Sequence, residues 1–354
     1  MGDTPPNKVR RRGPAAGPTA ADVAELASVS RATVSRSFDP SSPVDAETRA
    51  RILQAARELG YRVGDAVSAM HSPADRGAKT VGLVMGDLDN PFYHTVLTLF
   101  LDQLHDRGLR ALCRSSANLF SSDEHVRQLL RSGVDALIIA SSGLHSSAIA
   151  ACSAASVPVI LFNRDVQGAA ATSVQTDNYG GGQILADVLA QAGHSRIAFV
   201  NGLEGSSTNS ERRQGFSDRL AEHGIAPPRQ EFSEYTYHGG REAAGRLMAS
   251  GGRPDAIFAA NDISALGVMD GLRFDLGLSI PGDVSVVGFD DIPMASWPSF
   301  HLTTVRQRRN QMVRESIALL DRYLDDAAAP PRTIKVAGRL IVRSSARLAT
   351  AQAA

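Results

Sequence analysis

Residues 21–38, ADVAELASVSRATVSRSF, decide the fold of the N-terminal part of this chain. The stretch carries two short helical patterns joined by a tight turn, as in a helix-turn-helix. The apolar side of the first helix is predicted to consist of Val23, Ala24 and Leu26. Val29 then fills the turn, Ser30 caps the free N–H groups of the second helix, and Val34 faces the core.

The other side chains of the second helix form an outward surface that would enter a DNA major groove. These residues are Arg31, Ala32, Thr33, Ser35 and Arg36, with Ser30 at the start of the helix. Residues 1–36 also carry more basic than acidic side chains, which favours contact with a polyanion. An ordinary helical hairpin is the alternative, and DNA binding is the preferred interpretation.

A third helix is predicted after the turn-rich run at 39–44. Asp45 is placed to cap this helix, which runs to about Leu59 and stops at Gly60. Helical spacing puts its apolar side chains on one face, at Ile52, Ala55, Ala56 and Leu59. We therefore expect a small core closed by three helices.

The bulk composition sets the class of protein. A chain of 354 residues is long enough for two or three domains, and contents of 43% apolar and 21% charged residues are typical of a soluble globular protein. The net charge is zero, which argues against a general polyanion binder. Cys113 and Cys152 fit no metal spacing and suit a reducing cytoplasm. With no apolar run of membrane-spanning length and no secretion signal at 1–19, we expect a cytoplasmic protein without a membrane partner.

From Thr80 onward, short apolar runs alternate with amphipathic helical stretches. The runs that are typical of buried parallel strands are VGLVMGD, LRALCRS, VDALIIAS, VPVILFN, RIAFVNG, DAIFAAND and VSVVGFDD. This alternation predicts doubly wound parallel sheets, in which ligands bind beyond the carboxyl ends of the strands. The strands fall into two sets, before and after about Asp177, which predicts two similar lobes with a cleft between them.

The run DVAELASVSRATVSR, followed by ARELGYR, resembles the headpiece of the lactose/galactose-repressor (LacI/GalR) family of bacterial transcription regulators. The resemblance implies that Arg31, Ala32 and Arg36 face base edges, while Thr33 and Ser35 contact phosphates. It also implies that Met70 is an apolar wedge in the minor groove, although it could be a simple linker residue. The chain departs from the family where Ser28 replaces a turn glycine and where Val63 and Gly64 replace Pro–Asn before the hinge.

The resemblance continues over residues 20–346 and implies a fold similar to periplasmic sugar-binding proteins. Motifs in the family's order include DNPFY, PVILFNR, ERRQGF, PGDVSVVGFDD and LTTVRQ. The predicted segments are a disordered basic arm at 1–18, for which a merely solvated tail is the alternative, a helix-turn-helix domain at 19–62, a hinge or linker at 63–79, an effector-binding and dimerisation domain at 80–349, and a tail at 350–354. Within the large domain, the first lobe would comprise 80–176 and 305–328, and the second lobe 177–304 and 329–349.

The resemblance also implies a site for a sugar-like effector between the lobes. The residues carried over from the family are Phe92, Tyr93, Arg164, Thr208, Arg212, Tyr235, Asn261, Asp262 and Asp290. An aromatic wall would face the C–H side of a sugar, and Arg212 and Asp290 would hold adjacent hydroxyls. Two structural alternatives stay open: Arg212 and Asp290 could be a lobe-to-lobe salt bridge, and Asp262 could merely cap the helix that follows it.

Two other classes of protein compete with a DNA-binding regulator. An enzyme is disfavoured because GGGQ at 180–183 lacks the spacing of a phosphate-binding loop and adjacent Asp290 and Asp291 usually point apart. A transport binding protein is disfavoured by the helix-turn-helix. We therefore expect a homodimeric regulator, with a tetramer not excluded, that binds a palindromic double-stranded DNA operator. A small molecule would control it, without a metal or cofactor, and repression is the expected mode.

Overall fold

The structure is a computed structural model that describes residues 20–37, 44–59, 78–115, 122–141, 144–166, 168, 171–249, 251–326 and 329–349. The chain divides into two units, 1–78 and 79–354. The basic arm, the hinge with Val63, Gly64 and Met70, and the tail at 350–354 lie outside the described residues, as do the side chains of Ala32 and Ser35.

The N-terminal unit contains the three predicted helices: α1 (Ala20–Leu26), α2 (Arg31–Ser37) and α3 (Ala46–Leu59). Their core is formed by Val23, Ala24, Ala27, Val34, Ile52, Ala55 and Ala56, with Val29 and Leu59 packed against it. One predicted core residue was wrong, because Leu26 is 49% exposed. Ala27 takes its place, since it lies four residues after Val23 and so on the same helical face.

Local side-chain bonds fix the turns of this unit as predicted. Ser28 has a φ of 51°, so a non-glycine residue takes the left-handed conformation between α1 and α2. The Thr33 N–H donates to Ser30 Oγ at 3.1 Å, and the Thr48 N–H donates to Asp45 Oδ1 at 2.8 Å. Ser30 and Asp45 therefore cap α2 and α3, which confirms both predictions.

The second unit begins with a six-stranded sheet, the core of the first lobe. Its strands are β1 (Thr80–Met85), β2 (Arg110–Ser115), β3 (Ala136–Ala140), β4 (Val159–Phe162), β5 (Thr172–Thr176) and β11 (Thr333–Val336), in the order β11-β5-β4-β3-β1-β2. All neighbours pair in parallel, with Leu83 opposite Ile138 in the β1–β3 pair. The helices of this lobe are α4 (Pro91–His105), α5 (Ser122–Arg131), α6 (Ser146–Ala154) and α11 (Arg309–Asp325).

The second lobe is built on another six-stranded sheet. Its strands are β6 (Ile197–Asn201), β7 (Arg229–Phe232), β8 (Ala256–Ala259), β9 (Ser285–Asp290), β10 (Thr303–Arg306) and β12 (Arg339–Ile341), in the order β12-β10-β9-β8-β6-β7. Only the β10–β12 pair among these neighbours is antiparallel. Its helices are α7 (Asn178–Gln191), α8 (Ser207–Glu222), α9 (Tyr237–Ala249) and α10 (Asp262–Asp270). The two sheets confirm the predicted fold class.

None of the helices in the described part of the chain combines the length and the apolar character that a membrane span needs.

The later lobe boundaries predicted from the sequence need correction. β10 stays in the second sheet as far as Arg306, so the chain returns to the first lobe at 307–308 and not at 304–305. β11 pairs with β5, so residues 333–336 belong to the first lobe and the last crossing lies at 337–338. The segment TIKV at 333–336 is an edge strand with mostly partly exposed residues, so it lacks the apolar run that marks the central strands.

The glycine-rich run in α7 allows that helix to lie against α8. A Cβ added at Gly182 would be 2.3 Å from the Arg212 carbonyl oxygen, and one at Gly215 would be 2.1 Å from the Tyr179 carbonyl oxygen. Real side chains do not approach backbone so closely, so glycine is required at both positions. Within the GGGQ run, Gly182 thus serves close helix packing, and it lets the backbone of Arg212 lie close to α7.

Candidate effector site and DNA-binding surface

A cavity of about 290 Å³ lies between the two lobes, beyond the carboxyl ends of their strands. Every residue predicted to bind an effector lines it except Asp262. The lining residues that sequence reasoning missed include Asp87, Asn90, Ser141, Asn163, Ser206, Ser207, Glu234 and Thr236. Many of these polar residues follow a strand, and that position was the signal that could have identified them.

The aromatic wall comes from the start of α4 in the first lobe. Asn90 caps this helix by accepting the Phe92 N–H at 3.0 Å, and the rings of Phe92 and Tyr93 meet edge to face at 5.4 Å. Gly86 makes room for Tyr93, because a Cβ there would lie 2.7 Å from the phenol ring. Burial raises the pKa of Tyr93 to about 12, with further contributions from Tyr235 and Asp290. The phenol is therefore neutral at physiological pH and can donate a hydrogen bond.

Arg164 follows β4 and is 8% exposed. Its Nη2 donates to the Leu144 carbonyl oxygen at 3.2 Å. Its Nε and Nη1 are also buried, and no described residue accepts a hydrogen bond from either atom. Burial lowers the pKa of this guanidinium to about 10, although it stays protonated at physiological pH. The first lobe thus contributes to the cavity lining a cation that has no carboxylate partner within ion-pair distance among the described residues.

Arg212 of α8 has more hydrogen-bond and ion-pair partners than Arg164. Its Nε donates to Asn178 Oδ1 at 2.9 Å, its Nη1 donates to the Ala260 carbonyl oxygen, and its guanidinium lies 3.8 Å from the centre of the Phe289 ring. Its Nη2 is 3.7 Å from Asp290 Oδ1. Both members of this buried ion pair belong to the second lobe, so the alternative of a lobe-to-lobe salt bridge was wrong. An ion pair that does join the lobes links Lys335 Nζ to Glu211 Oε1 at 3.1 Å.

Asp290 ends β9 with a φ of 127°, and Asp291 follows with a φ of 56°. The two carboxylates have different partners. Asp290 Oδ1 accepts from Gln307 Nε2 at 2.6 Å, whereas Asp291 binds Arg306 and Arg343. They do not form a pair for acid–base catalysis. Burial raises the pKa of Asp290, and Arg212 opposes that shift.

Thr208 and Tyr235 bring hydroxyl groups to the second-lobe wall. The two oxygens are 3.1 Å apart, and Ser206 Oγ lies within 3.2 Å of both. Tyr235 adopts a φ of 61° and packs where Gly202 has no side chain. This cluster suits the hydroxyl groups of a polyol, because each oxygen can both donate and accept a hydrogen bond.

In the N-terminal unit, Arg31 and Arg36 are exposed on α2 and Thr33 is partly exposed. Val34 and Ser37 are buried on the opposite side of the helix. The Thr33 and Ser30 hydroxyls lie 2.8 Å apart, so they interact at the start of the helix. Arg31 and Arg36 are therefore both exposed on α2, away from the buried side of that helix.

Comparison with known proteins covers both units. Residues 19–63 match the family described as bacterial regulatory proteins, lacI family, and residues 186–346 match the periplasmic binding protein-like domain. The HTH-type transcriptional regulator AscG of Escherichia coli (strain K12) is 32% identical, with 92% of this chain and 98% of that protein covered. The chain belongs to the LacI family.

Two solved LacI-type structures extend this result. The complex of the transcriptional regulator CelR with cellobiose has a TM-score of 0.69 and 28% identity, covering 93% of this chain and 99% of that chain. The lac repressor dimer bound to operator and the anti-inducer ONPF has the same TM-score and coverage, with 25% identity.

Asp262 is the residue for which the site carried over from the LacI family needs correction. It is fully buried, and its carboxylate accepts the Ile292 N–H at 2.9 Å and the Thr304 hydroxyl at 2.6 Å. The cap of α10 is Asn261, whose side chain accepts the Ser264 N–H at 3.0 Å. Asp262 therefore neither lines the cavity nor caps the helix. Its hydrogen bond from the Ile292 N–H stabilises the loop after β9.

Gln307 has a structural role that sequence reasoning missed. It lies where the chain returns to the first lobe and is 1% exposed. Its Nε2 donates to Asp290, and its Oε1 accepts from Thr176 Oγ1 at 2.6 Å. Thr176 ends β5, just before the chain first crosses to the second lobe. A short hydrogen-bonded chain therefore links the cavity to two of the three crossings.

Proposed function

We propose that this LacI-family chain is a ligand-responsive, sequence-specific transcriptional regulator, most simply a repressor. It binds a palindromic operator as a homodimer, and a sugar-like molecule in the cleft controls its affinity for DNA. The observation that carries the proposal is the cavity lined by nearly all the predicted effector residues, in a chain that also has a helix-turn-helix. The CelR–cellobiose complex and the operator-bound lac repressor dimer support the two halves of the proposal.

The DNA half rests on α2. An arginine fork can donate to O6 and N7 of guanine together, which discriminates against another base by about 1–3 kcal/mol. Arg31 and Arg36 have the exposure that this contact needs. Ala32 can read little beyond a thymine methyl, while Thr33 and Ser35 would position the helix on phosphates. Met70 remains a predicted minor-groove wedge.

The effector half rests on a cleft whose walls come from different lobes. A ligand that binds one lobe arrangement more tightly than another shifts the population towards it, whereas equal affinity shifts nothing. Rotation of the lobes at their crossings would then act on the heads through residues 60–77. The Asp290–Gln307–Thr176 chain supports this route, because it joins a cleft residue to two crossings.

The proposal also includes that the regulator is cytoplasmic and that it does not catalyse a reaction. The divergent partners of Asp290 and Asp291, together with the close packing of Gly182, argue against the two catalytic features that the sequence offered. The match of residues 19–63 to the lacI family disfavours a transport protein. Turnover of a sugar or sugar phosphate by pure protein would contradict this part.

The proposal is tested by selecting and sequencing genomic fragments bound by the full-length protein at a fixed salt concentration. We expect a palindrome, and we expect Arg36→Ala to abolish its enrichment without changing effector affinity. Arg51→Ala is the matched control, because Arg51 is an exposed arginine on α3 in the same unit. No enriched palindrome, either alone or with added sugars, would contradict sequence-specific regulation.

A further inference from the structure

Arg164 has an unusual environment for a buried cation. At 8% exposure it donates one described hydrogen bond, to a backbone carbonyl, while its Nε and Nη1 have no partner in the described structure. Both the charge and the unused donors lose hydration when they are buried, which is unfavourable unless an acceptor replaces the water. Because Arg164 lines the cavity, a bound anion can compensate its charge.

The neighbouring acids of the first lobe are occupied elsewhere. Asp123 accepts the backbone N–H of His145, its carboxylate lies 3.2 Å from His145 Nδ1, and it accepts the Ser147 hydroxyl. Asp165 is exposed, and its Oδ1 accepts the Val166 N–H at 2.9 Å. Neither forms an ion pair with Arg164 among the described residues, although both influence it from a distance.

The acids that line the cavity form no ion pair with Arg164 among the described residues either. Asp290 already has Gln307 and Arg212. Asp87 Oδ1 accepts the Asp89 N–H at 3.0 Å, and Glu234 is exposed to solvent. Asp290 is thus already paired with Arg212, whereas Arg164 has no carboxylate within ion-pair distance among the described residues.

From this asymmetry we infer that the effector is a sugar acid, with its carboxylate bound by Arg164 and its hydroxyl groups by the second-lobe wall. A hydroxyl beside Arg164 would leave the guanidinium without an anionic partner. A carboxylate supplies that partner, and hydrogen bonds between ionised groups are stronger than neutral ones. The cavity of about 290 Å³ is at the small end for ligand sites, which favours a monosaccharide acid. The inference rests on the proposed effector function.

The test uses matched pairs of ligands that differ at one carbon. Binding of D-glucuronate and D-galacturonate to full-length protein is measured by calorimetry against D-glucose and D-galactose, with D-glucose 6-phosphate as a separate anion. We expect one of the acids to bind at least tenfold more tightly than its parent hexose. Arg164→Gln should remove that advantage, and Arg164→Lys should keep part of it because the charge remains.

A second measurement separates binding from a structural role. If Arg164 is an uncompensated charge, Arg164→Gln should unfold without ligand at the same temperature as the unchanged chain or higher. A residue that holds the fold together would show a clear drop. Arg127→Gln is the control, since Arg127 is an exposed arginine on α5 outside the cavity lining and should change neither result.

Four outcomes would overturn the inference: no acid binds, a parent hexose binds as tightly as its acid, the sugar phosphate binds more tightly than the acids, or Arg164→Gln keeps full acid affinity. These outcomes are distinguishable from failure of the proposed function. If a neutral sugar binds in the cleft and changes operator affinity, the sugar-acid inference is wrong and the proposed regulatory function stands. If a sugar acid binds but no operator is found, the inferred ligand class stands and the proposed regulatory function is contradicted.

Discussion

Replacing Gly182 with alanine tests the claim that α7 and α8 pack too closely for any side chain. The added Cβ would lie 2.3 Å from the Arg212 carbonyl oxygen and 2.9 Å from the Phe216 nitrogen. Ordinary contact begins near 3.4 Å, so the helices would have to separate by about 1 Å, which is 3.4 minus 2.3. Both obstacles are backbone atoms, which cannot rotate away as a side chain would.

Overpacking of this kind costs about 1–3 kcal/mol. Alanine recovers up to about 1 kcal/mol of helix propensity, which offsets only part of that cost. We therefore expect Gly182→Ala to lower the free energy of unfolding of the second lobe by about 1–2 kcal/mol. Because the Arg212 backbone is one of the two obstacles, the variant should also bind the effector more weakly, although Gly182 does not line the cavity.

The assay is urea unfolding followed by the fluorescence of Trp297, the single tryptophan of the chain, which lies in the second lobe. Gly245→Ala is the matched control, because Gly245 lies in helix α9 and a Cβ there meets no atom within 4 Å. That change should stabilise the protein by about 0.4–1 kcal/mol. Equal stability of the two variants would refute the packing argument.

Three further changes have defined outcomes. Asp45→Ala removes the 2.8 Å cap on the Thr48 N–H and should destabilise the N-terminal unit by about 1 kcal/mol, measured by amide hydrogen exchange in α3. Asp290→Ala should leave operator binding intact and abolish the effector response in a DNA-binding titration; an unchanged response would remove Asp290 from the site. Burial raises the pKa of Asp262 to about 7, so the unfolded chain ionises first and stability falls as the pH rises from 3.8 to about 7. Asp262→Asn should flatten that part of the pH profile of unfolding; an unchanged slope would contradict the shift.

The central strands could be predicted because they are buried on both faces. All six residues of β9 and all five of β3 are buried, so each appears in the sequence as a continuous apolar run. β11 escaped prediction because three of its four residues are at least partly exposed, and its place depends on pairing with β5 from a distant part of the chain. Local pattern carries no information about such long-range pairing.

The predicted site likewise contains residues that the sequence could identify and residues that it could not. Arg164 and Asn261 were carried over from the family resemblance, and both lie just after strands, whose carboxyl ends meet at one edge of a parallel sheet. Asp262 looked equivalent to Asn261, but neighbouring side chains at the start of a helix point in different directions, and only Asn261 reaches the cavity. Gln307 carried no signal of its own, since its two partners lie 17 and 131 residues away in sequence.

Arg212 and Arg164, on opposite walls of the cleft, differ in how many protein partners each guanidinium has. Arg212 is held by an amide oxygen, a carbonyl, a carboxylate and an aromatic face, and its helix is fixed by glycine packing against α7. Arg164, across the cleft on the other lobe, lacks a comparable set of partners. A ligand bound to both would compensate Arg164 and gain little at Arg212. Its binding energy would then depend on how close the lobes stand, which is the differential affinity that a lobe-rotation switch requires.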